Sequence, residues 1–236
     1  MRRATAERRR PGRDGPGLAR HPRLAIRGGL LNTVAALVVV MALAATAAPG
    51  AALQVMRPLL RAALSVAAAE FRVVDLDVVP HAGLLRLRLV VTLAAPLHWR
   101  GQVVQPDPRG RATSDIPVRP VLLMPLVSAL LAAGWPPPES DRVAAPRAAL
   151  RLRRAALAAT MAMAAVPVVA AIETTGGIWK IVQDTLAPHA PSPMSRVTDL
   201  LQGGGRRVVA AALAALAVLA LRPRPRPAGA GPAPRA

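Results

Sequence analysis

Two runs of this chain, Val121 to Trp135 and Ala155 to Ile172, carry no charge, and between them stand Arg142, Arg147, Arg151, Arg153 and Arg154. Apolar helices of about 17–25 residues cross a hydrocarbon layer, while short arginine-rich connections stay on the cytoplasmic face. The pattern therefore predicts a helical hairpin in a membrane. Its helices cover 117–135 and 155–172, and its basic turn covers 136–154.

Composition agrees only because of how it is distributed. The chain is 53% hydrophobic yet carries a net charge of +19, and the charges lie in blocks between uncharged runs. A water-soluble globule intersperses the two; segregation favours an integral membrane protein. Strong basicity is also the footprint of nucleic-acid binding. Here nearly all of it is arginine, Lys180 being the single lysine, and there are one Phe, three Trp and no Tyr to stack on bases. No nucleic-acid partner is expected, and that class stays a remote alternative. Without cysteine the chain has no disulfides, thiolate metal sites or cysteine nucleophiles.

Residues 1–27 hold nine arginines among Pro and Gly and read as a disordered basic arm that touches anionic lipid. An uncharged run over 28–48 reads as the first transmembrane helix. Its Ala45-Thr46-Ala47 triplet leaves open a cleavable signal, but the run is longer than a signal core of about 7–15 residues, which favours an anchor. The next segment, 49–116, is expected outside. It begins with an apolar stretch bearing Arg57 and Arg61 one turn apart, which suits a helix lying at the membrane interface.

From Phe71 the period changes to two. Asp75 and Asp77 alternate with Val74, Leu76 and Val78, and Arg86 and Arg88 alternate with Leu85, Leu87 and Leu89, around Pro80-His81-Ala82-Gly83. This predicts a hairpin with the two aspartates facing the two arginines. His98 to Gln105 reads as a third extended piece and Thr113 to Val118 as a fourth. The β-module is too small to stand without packing on helices.

The segment 173–205 is expected as a second external loop. Ile178, Ile181, Val182 and Leu186 have helical spacing for an amphipathic helix with Trp179 as interface anchor, a second short piece covers Ser195 to Gln202, and Gly203-Gly204-Gly205 forms a flexible joint. A fourth membrane helix over 206–221 is closed by alternating Arg and Pro, which opens a disordered tail, 222–236. With the amino terminus inside, the three inner segments hold 18 basic residues against four acids and the outer ones 13 against eight. The positive-inside rule then puts both ends in the cytoplasm; Ala, Arg, Pro and Gly dominate the composition, as a GC-rich bacterial genome gives, so a bacterial inner membrane is expected.

The expected fold is thus a mainly α membrane protein with about four transmembrane helices and a small external β-module between the first two. Catalytic constellations are not legible. His21, His81, His98 and His189 have no metal-ligand spacing, no nucleophile elbow occurs, and Gly203–Gly205 lacks the Lys-Ser/Thr of a phosphate loop. No acid lies deep in an apolar run, Asp115, Glu173 and Asp184 being placed at membrane borders. No enzyme activity, cofactor, metal or small-molecule substrate is expected. Membrane lipid and another membrane protein are the expected partners, with Trp99, Trp179, Lys180 and Arg119 as candidate contacts.

The order of parts carries a resemblance. An amino-terminal anchor leads to a valine-rich hairpin around "HAGLLRLRLVV" (81–91), then to "RPVLLMPLVSALLAAG" (119–134), an arginine-rich turn, and a helix followed by "GGIWKIVQDTLAP" (176–188). "LLQGGGRRVVAAALAALAVLAL" (200–221) completes the series. This resembles the exosortase H-associated membrane proteins, small multi-spanning accessories of a bacterial envelope protein-sorting system. The resemblance covers about residues 28–222 and implies an accessory role in which the transpeptidase-like chemistry belongs to a partner. A permease-like subunit of an envelope ABC-type transporter shares the layout and stands as the alternative.

Overall fold

The structure is a computed structural model that describes residues 22–136, 147–186 and 192–222. Most of the basic arm, most of the turn between the hairpin helices and nearly all of the tail lie outside the described residues, as do His21 and His189. The chain is mostly helical with one small three-stranded sheet.

Helix α1 (Pro22–Ala47) ends beside Ala48, and helix α2 (Pro49–Ala67) leaves at 110° to it. The Pro49-Gly50 pair explains the break, since proline starts a helix readily and cannot continue one. α2 buries Leu53, Met56, Leu60 and Leu64 along one stripe and exposes Val55, Leu59 and Val66 on the other side.

Strands β1 (Phe71–His81) and β2 (Leu84–Leu93) form the expected antiparallel hairpin. Its turn residues, Ala82 and Gly83, have φ of +49° and +76°, the left-handed pair that a two-residue hairpin loop requires. β2 is the central strand; β5 (Ala112–Pro117) pairs on its other side. The ion pairing differs from expectation. A bulge between Val73 and Asp75 sets Asp75 opposite Val90, and the Asp75 carboxylate accepts the Leu76 N–H instead. Arg88, flanked in register by Asp77 and Asp115, takes Asp115 at 3.1 Å. The third extended piece is also two strands. β3 (Leu97–Trp99) and β4 (Gln102–Val104) fold on each other about Arg100 and Gly101, both at positive φ.

The helix expected over 117–135 starts one residue later, because β5 takes Pro117, and ends one residue earlier, at Gly134. α3 (Val118–Leu122) and α4 (Met124–Gly134) are separated only at Leu123, two residues before Pro125, and make one apolar piece of 17 residues from Val118 to Gly134. At 1.5 Å per residue it is about 25 Å long, a little short of a typical hydrocarbon layer.

Helix α5 (Arg147–Leu186) is the largest departure. It has 40 residues and absorbs three expected segments: the arginines after 147, the helix 155–172, and the external amphipathic piece beyond 173. Arginine and alanine are strong helix formers, so Arg151, Arg153 and Arg154 extend the helix rather than forming a turn. α6 (Pro193–Leu200) and α7 (Arg206–Ala220) are joined by a π-type turn over Leu201–Gly205. The triple glycine is therefore an ordered connector. Gly204 sits at φ +126°, open only to glycine, and a Cβ on Gly205 would lie 2.7 Å from the Leu200 carbonyl oxygen.

Among the described residues, two helical stretches, Ala148–Leu186 and Pro193–Ala220, are long and apolar enough to cross a membrane, and the bent α1–α2 pair would add a third. Where these helices meet, alanine dominates: Ala42, Ala129, Ala155 and Ala159 in one cluster, Ala132, Ala158, Ala214 and Ala217 in another. The large apolar side chains point outward instead, among them Val34, Leu37, Val40, Met41, Leu130, Leu131, Val208, Leu216 and Leu219. Small residues inside and large apolar ones outside invert the arrangement of a soluble core and match helices packed in lipid. Asn32 near Arg153 and Ala42 near Ala159 show that α1 runs with α5, while Ser128 Oγ donating to the Ala210 carbonyl and Ala132 beside Ala214 show that α4 runs with α7.

The sheet has no core of its own. Leu76, Leu87, Leu89, Val91 and Ile116 share one cluster with Leu53, Met56, Leu60 and Leu64 of α2 and with Val166, Val169, Ala170 and Ile178 of α5. This is the packing that a sheet of three strands needs.

Candidate functional site: a polar knot where the long helix meets sheet and bundle

One turn of α5, Glu173-Thr174-Thr175-Gly176-Gly177, gathers three other elements. Glu173 is fully buried and receives a bidentate ion pair from Arg206 at the start of α7, Nε to Oε1 and Nη2 to Oε2. Paired geometry of this kind offsets the cost of removing both charges from water. Thr174 Oγ1 donates back to the Ala170 and Ala171 carbonyls, whereas the buried Thr175 Oγ1 has no partner among the described residues. The sequence reading places Glu173 at a membrane border; the structure buries it, because α5 continues past it and α6 and α7 fold back over it.

The two glycines set the spacing. A Cβ on Gly176 would lie 1.7 Å from Thr198 Oγ1, and one on Gly177 would lie 2.0 Å from Ser114 Oγ. α6 and β5 therefore approach the α5 backbone from two sides, and Thr198 Oγ1 donates to the Ile172 carbonyl at 3.3 Å. The far end of α6 is fixed the same way. Gln183 Oε1 accepts from Ser192 N and Ser195 Oγ, and Ser192 caps the helix by accepting the Ser195 N–H.

Beside the knot lies an aromatic cluster. Trp179 stacks edge-on with Phe71 at 5.6 Å between centroids and tilted against Trp99 at 5.2 Å. The chain's one Phe and two of its three Trp thus pin α5 to β1 and to the β3–β4 hairpin. Of the candidate contact residues, the structure brings Trp99 and Trp179 together. Trp179 is only 9% exposed and so packs the junction rather than reaching outward as an interface anchor. Lys180 and Asp199 form an exposed pair at 2.6 Å, and Arg119 is exposed with no side-chain hydrogen bond among the described residues. Exposed pairs contribute about 0.2–1 kcal/mol. Lys180→Ala is accordingly expected to change stability by no more than about 1 kcal/mol in a detergent unfolding titration, and a larger loss would mean that Lys180 supports the fold.

At the opposite end of α5, Arg154 is fully buried and its three guanidinium nitrogens have no hydrogen-bond partner among the described residues. It shares a face with Ala158, against α4 and α7. The sequence hides this, since five arginines in the segment look alike and only packing distinguishes the one turned inward.

Among the described residues no three His, Asp or Glu side chains gather as metal ligands. The knot itself consists of the buried Glu173–Arg206 pair and the Thr198 hydroxyl, which tie α5 to α7 and α6. No protein-family model matches the chain, and no curated protein or solved structure matches it either.

Proposed function

We propose that this chain is a non-enzymatic membrane scaffold, a docking subunit of an exosortase-type envelope protein-sorting system, with four crossings of a bacterial inner membrane and both ends in the cytoplasm. The observation that carries the scaffold reading is α5. One unbroken helix of 40 residues, about 60 Å long, serves as the central strut of the alanine-lined bundle and also as a wall of the core beneath the sheet. Such a joint holds the sheet at a set angle to the membrane, which suits presentation of a surface to another envelope protein. The sidedness of the arginine blocks and the resemblance in layout support the orientation and the partner class.

The same continuity would serve a permease-like subunit that relays motion from an ATPase, so α5 also favours that alternative. Reporter fusions at residues 90, 145 and 190 are expected to read outside, inside and outside; an inside signal at 90 would sink both readings. Affinity capture of the full chain from membranes then separates them. An exosortase among the captured proteins supports the first, and an ATPase subunit in its place overturns it.

A further inference from the structure

At the sheet end of the bundle, α3 and α4 diverge from the π-type turn and the start of α7 and leave a cavity of about 580 Å³. Its walls change character with depth. Near the turn they present Gln202, Gly203, Gly204 and Arg207; toward the bundle they are Met124, Val127 and Ala210. Arg206 also lines the cavity, but its guanidinium is committed to Glu173. Arg207 is exposed and makes no hydrogen bond or ion pair among the described residues, so it supplies the net positive charge of the mouth. From Arg207 to Ala210 is about 4.5 Å along the helix axis, so cation and apolar wall lie within the reach of one amphiphile's headgroup and chain origin. Beyond Ala210 the outward face of α7 stays apolar through Leu216 and Leu219.

We propose that this cavity binds an anionic phospholipid, with the phosphate on Arg207 and Gln202 and the start of an acyl chain along Val127 and Ala210. Charge complementarity selects the phosphate, and the apolar wall selects a molecule with chains over a free anion. In a lipid-facing position a cationic side chain beside the hydrocarbon border contributes about 1 kcal/mol toward an acidic headgroup, about fivefold in affinity. The site also gives Arg207 a partner at the border where α7 becomes apolar.

The inference rests on the membrane reading but not on the exosortase partner, and the tests separate them. The full chain, purified in mild detergent, is titrated with phosphatidylglycerol, with diacylglycerol and with glycerol 3-phosphate, and retained molecules are counted by native mass spectrometry. Phosphatidylglycerol is expected to be retained at one equivalent, and the two fragments to bind at least about fivefold more weakly. Arg207→Gln is expected to lower phosphatidylglycerol retention about fivefold or more, while Arg72→Gln, on β1, leaves it unchanged. Val127→Trp, which fills the apolar wall, is expected to abolish retention with an unaltered helical circular dichroism spectrum. Equal retention by Arg207→Gln, or equal binding of diacylglycerol, overturns the proposal. Release of the chain from membranes by carbonate without detergent would instead overturn the membrane reading beneath it.

Discussion

Glu173→Leu and Arg206→Leu, each made alone, are expected to destabilise the protein by about 3–5 kcal/mol, and the double substitution to recover most or all of that loss. The reason is the difference between a paired and an unpaired buried charge. Glu173 is fully buried and Arg206 nearly so, and each satisfies the other through two parallel hydrogen bonds. Removing one leaves the other desolvated without compensation, whereas replacing both with apolar side chains leaves no buried charge unpaired. Chemical unfolding in detergent, followed by circular dichroism, gives the four corners of the cycle. Strictly additive losses would show that the two side chains do not act as a pair.

The second large effect concerns sign. Alanine is a better helix former than glycine by about 1 kcal/mol, so propensity alone predicts that Gly176→Ala and Gly177→Ala stabilise α5. Packing predicts the reverse. The new methyl at 176 would meet Thr198 Oγ1 at 1.7 Å and Thr198 Cβ at 2.7 Å, and at 177 would meet Ser114 Oγ at 2.0 Å. Overpacking of this severity costs about 1–3 kcal/mol or more, enough to outweigh propensity. Both variants are expected to unfold at lower denaturant than the wild type, Gly177→Ala recovering in part when Ser114→Gly is added. Gly50→Ala, at a helical glycine with open space around it, is the matched control and is expected to be neutral or slightly stabilising. If Gly176→Ala behaves like Gly50→Ala, α6 does not approach α5 closely at Gly176.

These two effects fall on residues whose importance was poorly legible. Glu173 follows an uncharged run, and a local reading treats such an acid as the place where the chain leaves the membrane. Gly176-Gly177 likewise stand at the head of what reads as a separate external piece. Both inferences assume that a helix ends where its apolar run ends. α5 does not, because the fold of β5, α6 and α7 brings against this turn Ser114, Thr198 and Arg206, which stand 63, 21 and 29 residues from Gly177 in sequence. Glycine loses little in a helix when the missing methyl is what allows another backbone to approach. The buried Arg154 escaped for a related reason: arginine blocks define sidedness but not which guanidinium turns inward.

The β-hairpin was legible in detail, because alternation and a turn are local properties. Only its cross-strand ion pair was misplaced. Register is shared among three strands, and β5 at the far edge presents Asp115, 27 residues on in sequence, beside Arg88, while a bulge turns Asp75 onto its own backbone.

The sequence by itself determined that uncharged runs alternate with arginine blocks, that helices long and apolar enough for a membrane follow, and that a hairpin lies between the first two runs. Those are statements about hydration and backbone periodicity, which each segment carries alone. Only the tertiary structure decided that the segments 147–154, 155–172 and 173–186 are one helix, that alanine faces inward and the large side chains outward, and that Glu173, Arg206 and two glycines lock sheet to bundle. Those outcomes depend on which surfaces meet, and a buried charge or a missing methyl is stable only against the particular neighbour that compensates it.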